Sequence, residues 1–184
     1  MASITSSPHI IPESTSVSRF GFSGSGPGVL AEFLSAAFNA QGMLWRTSPA
    51  VTELEEVALA WLRQLLGLPD TFEGVIYDTA SISTLHALAA ARQEAAPAVR
   101  ERGLAGRPDL PALRVYCSEH AHSSIDKAVR IAGIGQRNLV KVPTDGSWAL
   151  DPEALRRAID TDQAEGFLPA GIVLSVGGTS IGAS

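Results

Sequence analysis

From residue 74 onward, short apolar runs alternate with stretches of helical periodicity, and this alternation limits the possible folds more than any other feature. Residues 74–77 (GVIY), 114–117, 139–142 and 170–176 read as buried strands. Between them, Ser81 opens an Ala/Leu-rich helix to about Ala95, and a second helix runs from about Ser123 to Ala132. A third follows Asp151, with Pro152 at its first position, and runs to about Glu165. Strands separated by helices are joined by crossovers rather than tight hairpins. The pattern therefore predicts an α/β fold, a mostly parallel sheet covered by helices.

The first third of the chain reads differently. Residues 1–18 are rich in Ser, Thr and Pro, show no periodicity, and predict an extended segment. The GSGPG run at 24–28 predicts a connector; no strand precedes it, so it lacks the context of a dinucleotide fingerprint. Apolar spacing predicts a helix over 29–40. A second helix is expected to start at a capping box of Thr52 and Glu55, with Leu54, Val57, Ala58, Trp61, Leu62 and Leu65 on one face. Gly67 and Pro69 end it, and Trp61 reads as a core residue. The expected division is an extended segment over 1–26 and one α/β domain over 27–184.

Composition narrows the function. The net charge is −5 and no basic run occurs, which argues against a nucleic-acid partner. No stretch approaches the roughly 20 apolar residues of a membrane span. The N-terminus has neither the basic nor the apolar part of a signal peptide. The single cysteine, Cys117, excludes an internal disulfide and a cysteine zinc site. A soluble cytoplasmic protein is the expectation.

In parallel α/β folds, ligands sit at the carboxyl ends of the strands, and three such ends carry small or polar residues. At 78–83 (DTASIS), helix-start amides and the hydroxyls of Thr79, Ser81 and Ser83 suit a phosphate. The same residues also suit an ordinary serine N-cap, and Asp78 opposes an anion unless it points away. At 118–124, His120 and His122 suit a metal, a general base or a flat surface for an aromatic ring; they equally suit a polar loop before a serine cap. At 177–180, Gly177, Gly178, Thr179 and Ser180 allow close approach of a ligand, or form a plain glycine turn. Lys127 and Lys141, the only lysines, read as surface charges, and Trp148 as a loop residue.

Residues 44–55 (LWRTSPAVTELE) resemble the pattern of group II, aromatic-L-amino-acid type decarboxylases, which depend on pyridoxal 5′-phosphate (PLP). Residues 74–92, 120–128 (HAHSSIDKA), 142–155 and 166–182 resemble further segments of that family, in the same order. The resemblance implies the large domain of the fold type I, aspartate aminotransferase-like PLP enzymes. It implies that Ala80 and Ser81 bind the cofactor phosphate, that His122 stacks on the pyridine ring as the catalytic histidine, and that Thr179 lies near the cofactor and the substrate carboxylate. It places Phe20, Phe22 and Trp45 on the walls of the amino-acid substrate pocket, and it implies a homodimer. The chain departs from the family at Asp78 and Ile82, and has Val17-Ser18-Arg19 where a His-Pro is expected. The family's aspartate for the pyridine nitrogen and its cofactor-binding lysine are absent from these 184 residues. The expectation is an incomplete large domain, a fragment that does not turn over alone. A carbon–carbon lyase or desulfurase of the same fold, and a non-catalytic dimerisation fragment, are the alternatives; residues 44–55 favour the decarboxylase.

Overall fold

The computed structural model describes residues 25–175. They form two compact units, divided between Val75 and Ile76.

The first unit is helical. Helix α1 (Gly26–Phe38) starts where the Ser25 hydroxyl accepts from the Gly28 N–H at 3.1 Å. Its Gly-Pro start is silent to a search for apolar periodicity, which is why the helix begins before residue 29. It ends at Asn39, left-handed at φ 47°, a conformation asparagine tolerates. Helix α2 (Pro49–Leu65) has Ser48 at its N-cap and Pro49 at its first position. The expected capping box at Thr52 and Glu55 does not start this helix. Thr52 lies within the first turn and donates its hydroxyl to the Ser48 carbonyl at 3.4 Å. Proline explains the earlier start, since its fixed φ suits that position and its missing N–H has no partner there to lose. Neither helix buries a residue. Trp61, expected in the core, is 65 % exposed, because the unit supplies no sheet on which the apolar face of α2 can close.

The second unit carries the sheet. Strands β1 (Leu113–Ser118), β2 (Leu139–Val142) and β3 (Leu168–Val173) are all parallel, in the order β2-β1-β3. Val115 stands opposite Leu139 on one side, and Leu113 opposite Leu168 on the other. Helices α3 (Ala80–Ala95), α4 (Val99–Arg102), α5 (Ser123–Ile131) and α6 (Pro152–Ala164) complete the unit.

Period-two alternation in β1 decides the layers. Leu113, Val115 and Cys117 join Leu88 of α3, Val99 of α4 and Ile125, Ala128 and Val129 of α5 in one buried cluster. Full burial of each Val or Leu there contributes about 1.5–3 kcal/mol. Arg114 and Tyr116 belong to the opposite face, where α6 packs. The buried Tyr116 hydroxyl donates to Asp162 of α6 at 2.8 Å. Arg114 pairs with the other Asp162 oxygen at 3.3 Å and lies 3.7 Å over the Phe167 ring. Burial pushes the Tyr116 phenol well above its ordinary range, and the Asp162 carboxylate adds to this.

Two of the four expected strands match within a residue or two. The last starts earlier, at Leu168, and ends earlier, at Val173, with Leu174 and Ser175 beyond the strand; Val176 lies outside the described residues. The expected strand at 74–77 is not part of the sheet. The boundary between the units falls within it, and Val75 and Ile76 are more than half exposed. An apolar run with no neighbouring strand to complete a ladder stays an extended connector.

Candidate functional site

Because the strands are parallel, their carboxyl ends form one rim, and the loops after β1 and β2 rise from it. Ser118 shapes the first loop. Its hydroxyl accepts from His120 N–H at 3.2 Å and its carbonyl from Ala121 N–H at 3.0 Å. Glu119 then reaches across to the second loop. Its carboxylate accepts from the Thr144 N–H at 3.0 Å and hydroxyl at 3.1 Å. The backbone N–H of Thr144, aided by the hydroxyl, holds the Glu119 carboxyl below its usual range. Next along the chain, the His120 ring meets Trp148 edge-on at 5.3 Å. Trp148 sits in a turn at φ 67°. Asp145 builds that turn by accepting from Ser147 N–H, Ser147 hydroxyl and Ala149 N–H at 2.7–3.0 Å.

His122 ends the first loop and caps α5. Its Nδ1 accepts from the Ser124 N–H at 3.1 Å, with the Ser124 hydroxyl 3.0 Å away. The ring itself is exposed. The reading of a serine cap at this helix is thus corrected: the histidine is the cap.

Helix α3 starts at Ala80, one residue earlier than expected, and its cap is Thr79 rather than Ser81. The Thr79 hydroxyl accepts from the Ile82 N–H at 3.3 Å. Ala80 and Ser81 are therefore the first two helical residues. Amides at these positions have no intrahelical partner and lie at the positive end of the helix dipole. Both residues are small and exposed. The start of α3 thus offers open amides beside the Ser81 hydroxyl, with Asp78 two residues before Ala80. Tyr77 stacks on His86, nearly two turns into the helix, with ring centroids 4.4 Å apart.

The two helices are tied together at their far ends. Helices α3 and α5 share the buried cluster, and Arg92 near the end of α3 donates to the Ala132 carbonyl at the end of α5 at 2.5 Å. At 1.5 Å rise per residue, Ser81 and His122 each lie roughly 15–17 Å back along their helices from that shared anchor.

Ala80, Ser81 and His122 thus all lie in the second unit. Trp45 lies in the first unit, exposed in the turns before α2. Phe20, Phe22 and Thr179 lie outside the described residues. A groove of about 550 Å³ in the first unit, lined by Leu59, Leu62, Leu66 and Phe72, includes none of the expected site residues. Among the described residues, no group of three or more His, Cys, Asp or Glu side chains is placed to hold a metal ion. The Glu119–Thr144 clamp and the Arg92 tie were missed by the sequence reading. Both join residues far apart in the chain, and periodicity carries no signal for such pairs.

Comparison with known proteins identifies the family and agrees with the fold. The model of the pyridoxal-dependent decarboxylase conserved domain matches residues 15–184. Tryptophan decarboxylase 2 of Oryza sativa subsp. japonica is 42 % identical over 161 residues, covering 83 % of this chain and 31 % of the relative. Aromatic-L-amino-acid decarboxylase of Bos taurus is 38 % identical over 169 residues, covering 84 % and 33 %. The crystal structure of Oryza sativa TDC with PLP and tryptamine superposes with a TM-score of 0.74 at 35 % identity, covering 85 % of this chain and 33 % of that one. The chain therefore spans about a third of the length of the relatives it matches. A parallel sheet covered by helices, matched over nearly the whole chain by one family model, places this chain among the pyridoxal-dependent decarboxylases.

Proposed function

We propose that this chain contributes the phosphate-binding and ring-stacking parts of a PLP-dependent carboxy-lyase acting on an aromatic L-amino acid, with residues 27–184 forming part of its cofactor-binding large domain. The observation that carries this reading is the pair of helix starts in one unit, α3 open at Ala80 and Ser81 and α5 capped by His122. PLP, when bound, supplies an electron sink for loss of the substrate carboxylate as CO₂. The amides of Ala80 and Ser81 and the Ser81 hydroxyl bind its phosphate. His122 lies against its ring, and Thr179 orients the substrate carboxylate. Phe20, Phe22 and Trp45 are proposed as the residues that recognise the aromatic side chain of the substrate, as the family resemblance implies. Lys141 is engaged by Asp126 at 3.0 Å and Lys127 projects from α5 beyond its first turn, so neither is expected to hold the cofactor covalently.

The complete enzyme is proposed to be a homodimer, supported by the uncovered apolar faces of α1 and α2. The single thiol, buried in β1, suits a reducing compartment, and the cytoplasm is the proposed location. The test is a chimera in which this chain is followed by the remaining two thirds of the rice tryptophan decarboxylase 2 sequence. It should release CO₂ from L-tryptophan or L-tyrosine, and His122→Ala should depress that release. A chimera that folds and binds PLP yet releases no CO₂ from any aromatic amino acid would contradict the proposal.

A further inference from the structure

His122 is an unusual helix cap, since asparagine, aspartate, serine and threonine are the preferred residues there. Its Nδ1 lies 3.1 Å from the backbone nitrogen of Ser124 and 3.0 Å from the Ser124 hydroxyl. The two donors carry different information. A hydroxyl rotates and can either donate or accept, so it does not decide where the ring proton lies. A backbone N–H in the first turn of a helix has a fixed direction, and here it points at Nδ1. Only an unprotonated Nδ1 can receive it. The neutral ring then carries its proton on Nε2.

The clamp is rigid because Ser124 is. Ser124 is 6 % exposed, and the next residue, Ile125, is packed in the buried cluster with Val129 and Val115. The plane and the tautomer of the ring are both inherited from the core. A doubly protonated ring would turn an Nδ1–H toward the Ser124 N–H and lose the cap.

We propose that Ser124 is a positioning residue that locks His122 as the Nε2–H tautomer, so that its far edge donates a hydrogen bond to an anionic oxygen and does not accept or transfer a proton. This rests on the reading of His122 as the residue that faces the cofactor. The consequence is a division of labour: His122 stacks and donates, and the proton needed at the substrate carbon comes from another group.

The test is long-range proton–nitrogen NMR of the His122 ring in the 184-residue chain at neutral pH. A protonated Nε2 with a bare Nδ1 is the expected pattern, and a protonated Nδ1, alone or in an imidazolium, would overturn the proposal. Ser124→Ala keeps the backbone N–H and should leave the tautomer unchanged, whereas a mixture of tautomers would show that the hydroxyl sets it and overturn the assignment to the backbone. Two further variants read the cap itself. His122→Asn keeps an acceptor at the cap and should leave the unfolding equilibrium near wild type, while His122→Ala should shift it about fivefold toward the unfolded state. Equal losses from both would overturn the capping role. Addition of PLP separates the two layers of the argument. A correct tautomer whose signals ignore PLP leaves the positioning intact and contradicts the cofactor reading.

Discussion

At the scale of the residue, the proposed phosphate end of α3 depends on smallness and on one hydroxyl. Ser81→Ala removes a donor to a charged group, and a loss of about 1.5 kcal/mol corresponds to roughly tenfold weaker PLP binding. Ser81→Asp sets a carboxylate against the phosphate and should abolish binding. Fluorescence titration of PLP against each variant reads both, and binding unchanged by the aspartate would remove the phosphate from this helix start. Glu119 supplies a second residue-level expectation. Its carboxyl titrates below its ordinary value of 4.5 because the Thr144 N–H and hydroxyl hold the ionised form. A lowered folded-state value means that the clamp stabilises above about pH 4.5 and is lost as the pH falls through the lowered value. Thr144→Ala leaves only the backbone donor and should shrink this acid-dependent part of the stability. An identical acid unfolding profile in the variant would show that the hydroxyl contributes nothing.

Elements show where a sequence speaks and where it is silent. Strands β1 and β2 were legible because their apolar runs are buried on the α3/α5 face and bounded by turn residues. Helix α6 was legible because Asp151 caps it twice over, accepting from Glu153 and Ala154 N–H groups, ahead of Pro152. The run at 74–77 has the same composition as a strand but joins no ladder among the described residues, and composition cannot report strand pairing. At α2, Thr-x-x-Glu matched a capping box, yet Ser48-Pro49 won by standing one turn earlier. Thr79 likewise took the cap expected of Ser81. Of the three strand-end loops expected, the one at 118–124 follows β1; the loop at 78–83 follows no strand of the sheet, and 177–180 lie outside the described residues. The capping role of His122 was not legible, because no propensity scale favours histidine there. The Tyr116–Asp162 link was also hidden, since a tyrosine within an apolar run gives no hint of its acceptor on a helix 46 residues away. Asp162→Ala strands a buried hydroxyl and removes the partner of Arg114, and should cost about 2–4 kcal/mol. Tyr116→Phe removes only the donor and should cost about 1 kcal/mol. Denaturant unfolding midpoints rank the two, and the reverse order would contradict this account of the α6 face.

At the scale of the whole molecule, the described residues divide into one well-packed unit and one whose helices bury nothing. Leu30, Phe33, Leu34 and Phe38 of α1, and Trp61 and Leu65 of α2, are each at least half exposed. Apolar area of this extent marks an interaction surface. The chain should therefore self-associate, eluting with a mass above its own 19.2 kDa in size-exclusion chromatography with light scattering. Replacing Phe33 and Trp61 by Glu should return it to a monomer; a wild-type chain that is monomeric and stable at high concentration would remove the argument for these faces. The central claim is that one unit of this chain holds PLP between the start of α3 and His122. Backbone amide NMR of the isotope-labelled chain, titrated with PLP and separately with pyridoxal, tests it most directly. The account predicts saturable shifts at Ala80, Ser81 and the residues around His122 with PLP, and loss of the Ala80 and Ser81 shifts with pyridoxal, which lacks the phosphate. Shifts confined to the groove beside Leu59 and Phe72, or none at the two helix starts, would contradict it.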